Sequence, residues 1–415
     1  MSAKIAFRLA AYSAAALLMA ACIYPYTVDI RKGDEYPLVV EGDLHIGGTS
    51  VVKLSHVRPF DTAEYEDIAV FAQGYIEGED GKRVQGVDAD VDTYLSSSSY
   101  YDYSTSLVFD TSKLPENQRY RLHLDTFTAE GSLNNQFESD WIMPCPAPTI
   151  DALTYSKNDH FKELWVGLSM HCHGSHYFRW TFDETWEYHS DIQSYIEYVP
   201  RSWNEYEMKE TGGYYQHIMP TYYYCWKSAS SSQINIFTTK NQTEDRFEEL
   251  AFHTIPLSDK RLQVMYRINV QLEAMSEDAY NYWYNMQQNS EGQGSIFSPV
   301  PSEMASNVHC ISDPSVQVMG YLNAAVPTSA VMFYNNEDEG FYRQGPLSER
   351  RDSTISAYDI SLADQMFSTG FLPYMEVYTM GPTPSDYTWN YATCIDCRKQ
   401  GGTKTRPEGW PSGHI

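Results

Sequence analysis

From Pro37 onward the sequence consists of short apolar runs broken by turn residues, and that pattern commits the chain to a β-rich fold. Leu38-Val39-Val40 and residues 44–46 lead into Gly47-Gly48, and 50–54 follow. Two apolar runs joined by a glycine pair predict a hairpin. Further strands are predicted at 68–73 and 74–77, turning at Glu79-Asp80-Gly81, and at 106–109. Residues 119–124 alternate cleanly, and 137–142 close the region. Turns every ~8–12 residues are the spacing of an immunoglobulin-like β-sandwich, expected here over 37–147. Pro144, Pro146 and Pro148 then form a stiff linker.

A larger β-rich domain is expected over 148–415, with strands at 163–172, 177–182, 233–238 and 262–272. Trp180, Trp186, Trp203 and Trp226 make it strongly aromatic. A helical insertion is predicted near 277–288. Ser276 suits the N-cap, Glu277 and Asp278 suit the first turn, and Tyr280, Trp283 and Tyr284 follow at helical spacing. Pro299 and Pro301 prevent its continuation. Residues 316–325 and 330–334 read as a β pair. The remainder is loop-rich, with a second short helix near 361–367.

The N-terminus supplies an address. Lys4 and Arg8 precede an uncharged run over 9–21, and the small residues Ala20 and Ala21 lead directly into Cys22. This is the layout of a bacterial lipoprotein signal, 1–21, cleaved before a cysteine that is then acylated. The apolar run is shorter than the ~20 residues a membrane-spanning helix needs. Several acyl chains on Cys22 would hold the mature protein to a membrane, with 22–36 as tether. The formal net charge of −26 becomes more negative once Lys4 and Arg8 leave, which argues against nucleic acid as a partner.

Six cysteines follow Cys22: Cys145, Cys172, Cys225, Cys310, Cys394 and Cys397. An even number in an exported chain predicts disulfides in an oxidising compartment. Cys394-Ile395-Asp396-Cys397 is a Cys-x-x-Cys, but it follows Pro382, Pro384 and a Tyr/Trp-rich loop rather than a strand that opens into a helix. Two structural disulfides clamping the C-terminus are therefore expected. Cys225 and Cys310 are the natural partners and Cys145–Cys172 a local bridge, with the connectivity open.

Together these stretches resemble one family, the Bacteroidetes lipoproteins of domain of unknown function 4249. The resemblance rests on 37–42 (PLVVEG) with 51–54, the 119–124 strand, and Ile150-Asp151-Ala152-Leu153 after the prolines. It continues through 179–188 (RWTFDETWEY), Tyr224-Cys225-Trp226, the helix at 276–283 and Val318-Met319-Gly320-Tyr321-Leu322. Cys394–Cys397 with Arg398, Gly401-Gly402, Pro407 and Trp410 completes it. The resemblance implies an outer-membrane lipoprotein that accompanies a TonB-dependent β-barrel transporter; the acids Asp34 and Glu35 past Cys22 suit a face exposed on the cell surface, with periplasmic or external placement open. The resemblance supplies no catalytic residues and no cofactor.

Few constellations suggest chemistry. On a strand His171 and His173 would share a face, with Cys172 on the other. They would need Glu184 or His189 to complete a metal site, and the expectation is a polar strand face with no metal. The sequence shows no serine-hydrolase elbow, zinc-protease helix or phosphate-binding glycine loop. Tyrosine is the compositional excess, at 34 residues. Tyr100, Tyr101 and Tyr103 follow a serine run, and Tyr214 and Tyr215 flank a Gly-Gly loop. Rigid amphipathic rings beside small polar residues suit recognition of a glycan or peptide, whereas Tyr222, Tyr223 and Tyr224 read as ordinary strand tyrosines. The expectation is a non-enzymatic ligand-binding or accessory subunit of a nutrient-uptake complex. A structural or adhesive surface protein is the alternative.

Overall fold

Leu38–His45 and Thr49–His56 form the expected hairpin, antiparallel with Val40 opposite Leu54, and Gly47 takes a positive φ in the turn. Alternation decides the faces: Ser50, Val52 and Leu54 point inward, and Val51 is exposed. The computed structural model describes residues 37–57, 71–89, 104–128, 130–158, 160–206, 208–220, 222–291, 306–336 and 352–411. Cys22, the segments expected to be signal and tether, and Tyr100, Tyr101 and Tyr103 lie outside the described residues.

Two sheets face each other over one core. The first runs Val318–Met319, Leu38–His45, Thr49–His56, Thr105–Asp110, Val87–Asp88, with Asn323–Ala325 also on Leu38–His45. The second runs Val308–Cys310, Leu133–Ser139, Tyr120–Phe127, Phe71–Gly78, Arg83–Gln85. Val40, Leu54, Phe109, Leu122 and Phe137 fill the space between them. Three of these strands come from residues beyond 307, so both sheets are completed by chain that lies past the proline linker.

Gly320 makes that return feasible. It sits between the two parallel contacts on Leu38–His45, at φ +107, and a Cβ there would fall 1.9 Å from the carbonyl oxygen of Val40. Gly320→Ala must therefore both strain a left-handed backbone and push two strands apart. The expected cost exceeds about 1 kcal/mol, read as a lower midpoint in urea denaturation.

A second pair of sheets follows. Arg246–Pro256, Glu163–His171 and Thr149–Asn158 form one. The other is Tyr224–Ser230, Tyr177–His189, Met265–Ala274 and Thr328–Asn335, with Asn235–Thr238 also on Tyr177–His189. Leu164 and Val166 meet Tyr266, Ile268 and Val270 between them. Helix Glu277–Glu291 leaves directly from the end of Met265–Ala274, with the Ser276 hydroxyl accepting from the Ala279 amide at 3.1 Å.

The stretch read as loop-rich contains a third, smaller body. Ser353–Ser356, Asp386–Tyr391 and Phe371–Val377 pair into a sheet. Helix Ile360–Ser368 packs on it, capped by Asp359, which accepts from the Leu362 amide at 3.0 Å. A ribbon inserted after the Tyr177–His189 strand joins it through Ile196–Val199 and Tyr214–His217, so Ile196 and Tyr198 share a core with Ile355, Tyr387 and Trp389. The molecule is mainly β, with few helices. No helix among the described residues is long and apolar enough to cross a membrane.

Candidate functional site

A cleft of about 290 Å³ opens where the ribbon, the small sheet and the C-terminal segment meet. Pro200, Pro220, Tyr222 and Tyr223 form one wall, Phe367 and Pro373 another, and Ile395, Asp396, Arg398 and Lys399 the third. The third wall is built around a short turn. Asp396 caps the 3-10 helix Cys397–Gln400, its carboxylate accepting from the Arg398 amide at 2.9 Å. The same carboxylate takes the Arg398 guanidinium, from Nε at 3.0 Å and Nη2 at 2.7 Å. The plane of Arg398 lies over the ring of Tyr222, 3.6 Å from its centroid. Its charge is thus fixed in place on the cleft edge, and the Asp396 hydrogen bonds hold its pKa above the ordinary value.

That wall is tied to the second sheet pair by the Cys225–Cys397 disulfide, which spans 172 residues. Tyr188 donates to the Cys397 carbonyl at 2.7 Å, Trp226 pairs with Thr403, and Trp410 donates to Glu187 at 3.0 Å. The expected clamp is present with one bridge. The other pairings are corrected: Cys145, Cys172, Cys310 and Cys394 are thiols. Cys310 packs in the core of the first sheet pair, whereas Cys394 packs with Ile192 and Ile395. Cys145 and Cys172 do not bridge; they pack as small apolar side chains around Met170 and Phe178. Burial, helped by Glu273 and Asp245 respectively, pushes each of these two thiols up to about 11, so both stay protonated and unreactive at neutral pH.

Of the tyrosines singled out in the sequence, Tyr214 and Tyr215 alternate on one strand and lie outside the cleft lining. Tyr214 is exposed. Tyr215 stacks on Tyr387 with centroids 3.6 Å apart, and burial pushes its pKa up to about 12. The cleft takes Tyr222 and Tyr223 instead, two residues that strand propensity alone would explain.

The structure does not bring Glu184 or His189 to the histidine cluster. The rings of His171 and His173 lie 4.0 Å apart; His171 bonds Asp245 at 2.7 Å and His173 bonds Thr149 at 2.8 Å. Glu184 and His189 are engaged elsewhere. Glu184 accepts from Tyr266 at 2.6 Å and from Arg261 at 2.8 Å, and His189 contacts the Ser190 carbonyl at 2.7 Å. The Glu184 network borders a second cavity of about 300 Å³, whose Arg261 and Lys260 are paired with Asp259 and Asp191.

A different trio comes together where the first sheet meets the second pair. The ligand atoms of Asp43, His45 and Glu273 lie within 4.8 Å of one another. Arg179 sits among them, ion-paired with both carboxylates and covered by the Trp283 ring at 4.7 Å. Arg179 therefore supplies the cation a metal would otherwise bring, and the cluster reads as a buried joint between sheets. With His45 protonated its charges cancel. Burial opposes that proton, but the hydrogen bond to Glu273 at 2.9 Å and the fields of Glu273 and Asp43 outweigh it, so the His45 pKa is raised. A raised folded-state pKa contributes stability that is complete below the unfolded value, about 6.5, and is lost as pH climbs through the folded value. Thermal stability should fall across that window, and His45→Gln should flatten the fall.

The sequence profile of the family described as Domain of unknown function (DUF4249) matches residues 23–330, well over half of the chain, and the chain belongs to that family. The matched span contains the first sheet pair, the second up to the start of its strand Thr328–Asn335, and the cleft wall at Tyr222 and Tyr223; it ends before the small sheet and the C-terminal turn. No curated protein matches the chain.

Proposed function

We propose that this member of the family is a Bacteroidetes outer-membrane lipoprotein, held by acylated Cys22, that serves as a non-enzymatic ligand-binding or accessory subunit of a TonB-dependent uptake complex. The observation that carries the reading is the cleft. Two of its walls are prolines and rings, and a disulfide anchors the turn that forms its charged third wall. Such a site is formed before its ligand arrives, which lowers the ordering cost of binding. A surface for a protein partner lies on the same ribbon. Beyond the cleft it narrows to Ser202–Asn204 paired with Lys209–Thr211, where Trp203, Tyr206 and Met208 stand exposed. Trp and Tyr are the residue types that anchor protein interfaces.

We read the first sheet pair as immunoglobulin-like. Tyr120 supports this: it starts its strand, is fully buried, and donates its hydroxyl back to the Pro115 carbonyl, as the corner tyrosine of such sandwiches does.

The test is a mild-detergent pull-down of the tagged, lipidated protein from its own outer membrane, with mass spectrometry of what accompanies it. A stoichiometric TonB-dependent barrel is the expected result, and Trp203→Ser with Tyr206→Ser should weaken its recovery. Recovery without a barrel, while a Cys22→Ala form is released from the membrane, would transfer the reading to a structural or adhesive surface protein.

A further inference from the structure

Building on the cleft as the ligand site, we propose that it binds a small zwitterion with an apolar side chain, namely a free amino acid or a short peptide. Its volume of about 290 Å³ lies at the small end of ligand sites, which suits one or two residues rather than an oligosaccharide chain. Two of its walls are apolar and rigid: Pro200 and Pro220 on one and Pro373 and Phe367 on the other offer a slot for an aliphatic or aromatic side chain at little entropic cost.

The charges distinguish among ligands that fit such a slot. Arg398 and Lys399 place two cations on the C-terminal turn, and Glu197 places a carboxylate on the ribbon. Asp396 does not add to that acid, because its oxygens are occupied by Arg398 and by the helix cap. Arg398 is held by Asp396 through Nε and Nη2 and by a further hydrogen bond to Tyr222, so its charge stays at the cleft edge while the ammonium of Lys399 beside it is the cation placed to meet a ligand carboxylate. Glu197 accepts from Gln216 through Oε2 at 2.8 Å, and its Oε1 takes no part in that bond. Opposite charges on two separate elements, with an apolar slot between the walls, complement a ligand that carries an ammonium, a carboxylate and an apolar group. A simple anion would meet Glu197 unfavourably, and a neutral sugar could hydrogen-bond these groups but would neutralise neither charge.

Isothermal titration of the mature protein with L-phenylalanine and with the dipeptide Leu-Phe tests this. Saturable binding of at least one is expected, weakened about tenfold or more when the amine is acetylated or the carboxylate amidated. Glu197→Gln should remove the sensitivity to acetylation, and Lys399→Gln should reduce the sensitivity to amidation. Equal binding of N-acetyl-phenylalaninamide would overturn the zwitterion assignment and leave the cleft as a ligand site. Binding of glucose or maltose in preference to the dipeptide would do the same. No binding of any probe would overturn the inference outright, whereas recovery of the barrel in the pull-down would still stand or fall by itself.

Discussion

Cys225→Ser should lower the free energy of unfolding by about 3–5 kcal/mol, the upper part of the range for a single disulfide. The reason is loop length: the Cys225–Cys397 bridge closes 172 residues, and the entropy it removes from the unfolded chain grows with the logarithm of that number. Urea denaturation of the oxidised protein against the Cys225→Ser, Cys397→Ser double variant measures it. The double variant should behave like either single one, because each alone abolishes the bond. The loss should also be felt at the cleft. Asp396 and Arg398 flank Cys397, so probe binding should weaken more than a purely remote destabilisation would allow. An unfolding midpoint that does not move on reduction would show that Tyr188, Trp226 and Trp410 hold the C-terminal segment without the bridge.

Arg179→Met is expected to cost a similar amount, about 3–5 kcal/mol, for a different reason. Arg179 is the cation between Asp43 and Glu273, and Glu273 is only 3 % exposed. Removing it leaves two buried carboxylates with only His45 to balance them, the situation in which breaking a buried pair is most destabilising. Adding Asp43→Asn and Glu273→Gln should recover much of the loss, since the penalty comes from the stranded charges. Denaturation of the single and triple variants decides the matter. If the triple variant is no better than the single one, the packing of Arg179 against Trp283, rather than its charge, is what holds the joint.

Periodicity revealed those parts of the fold in which one face of a strand is buried and the other wet. The 38–56 hairpin, the strand from Tyr120 and the strand Met265–Ala274 all alternate in sequence and in burial. The helix at Glu277–Glu291 was marked by its cap and first-turn acids. Tyr177–His189 was harder: the sequence predicts a strand only to 182, yet it runs on to His189 with Glu184 and Glu187 buried against hydrogen-bond partners. The small sheet was hidden for a related reason. Ser353–Ser356 and Asp386–Tyr391 are short and polar, and their core is Tyr387 and Trp389 rather than aliphatic runs.

The cleft was legible only in pieces. The C-terminal cysteine motif marked the clamp, but its second role as a cleft wall depends on Asp396 and Arg398 folding back beside Tyr222, a contact between residues far apart in sequence. Tyr214 and Tyr222 carry the same side chain. What separates them is that the first lies outside the cleft lining and the second forms part of a wall.

The return of the chain to its first strand also dictates an order of assembly. Leu38–His45 emerges early in synthesis, and its neighbours Val318–Met319 and Asn323–Ala325 only much later. Until then that strand has an open edge, and an open edge invites pairing with other chains. A protein built this way must be kept from premature contact while most of its length is still being made. A fragment ending near the proline linker would retain that exposed edge permanently and should aggregate, even though its own hairpins are intact.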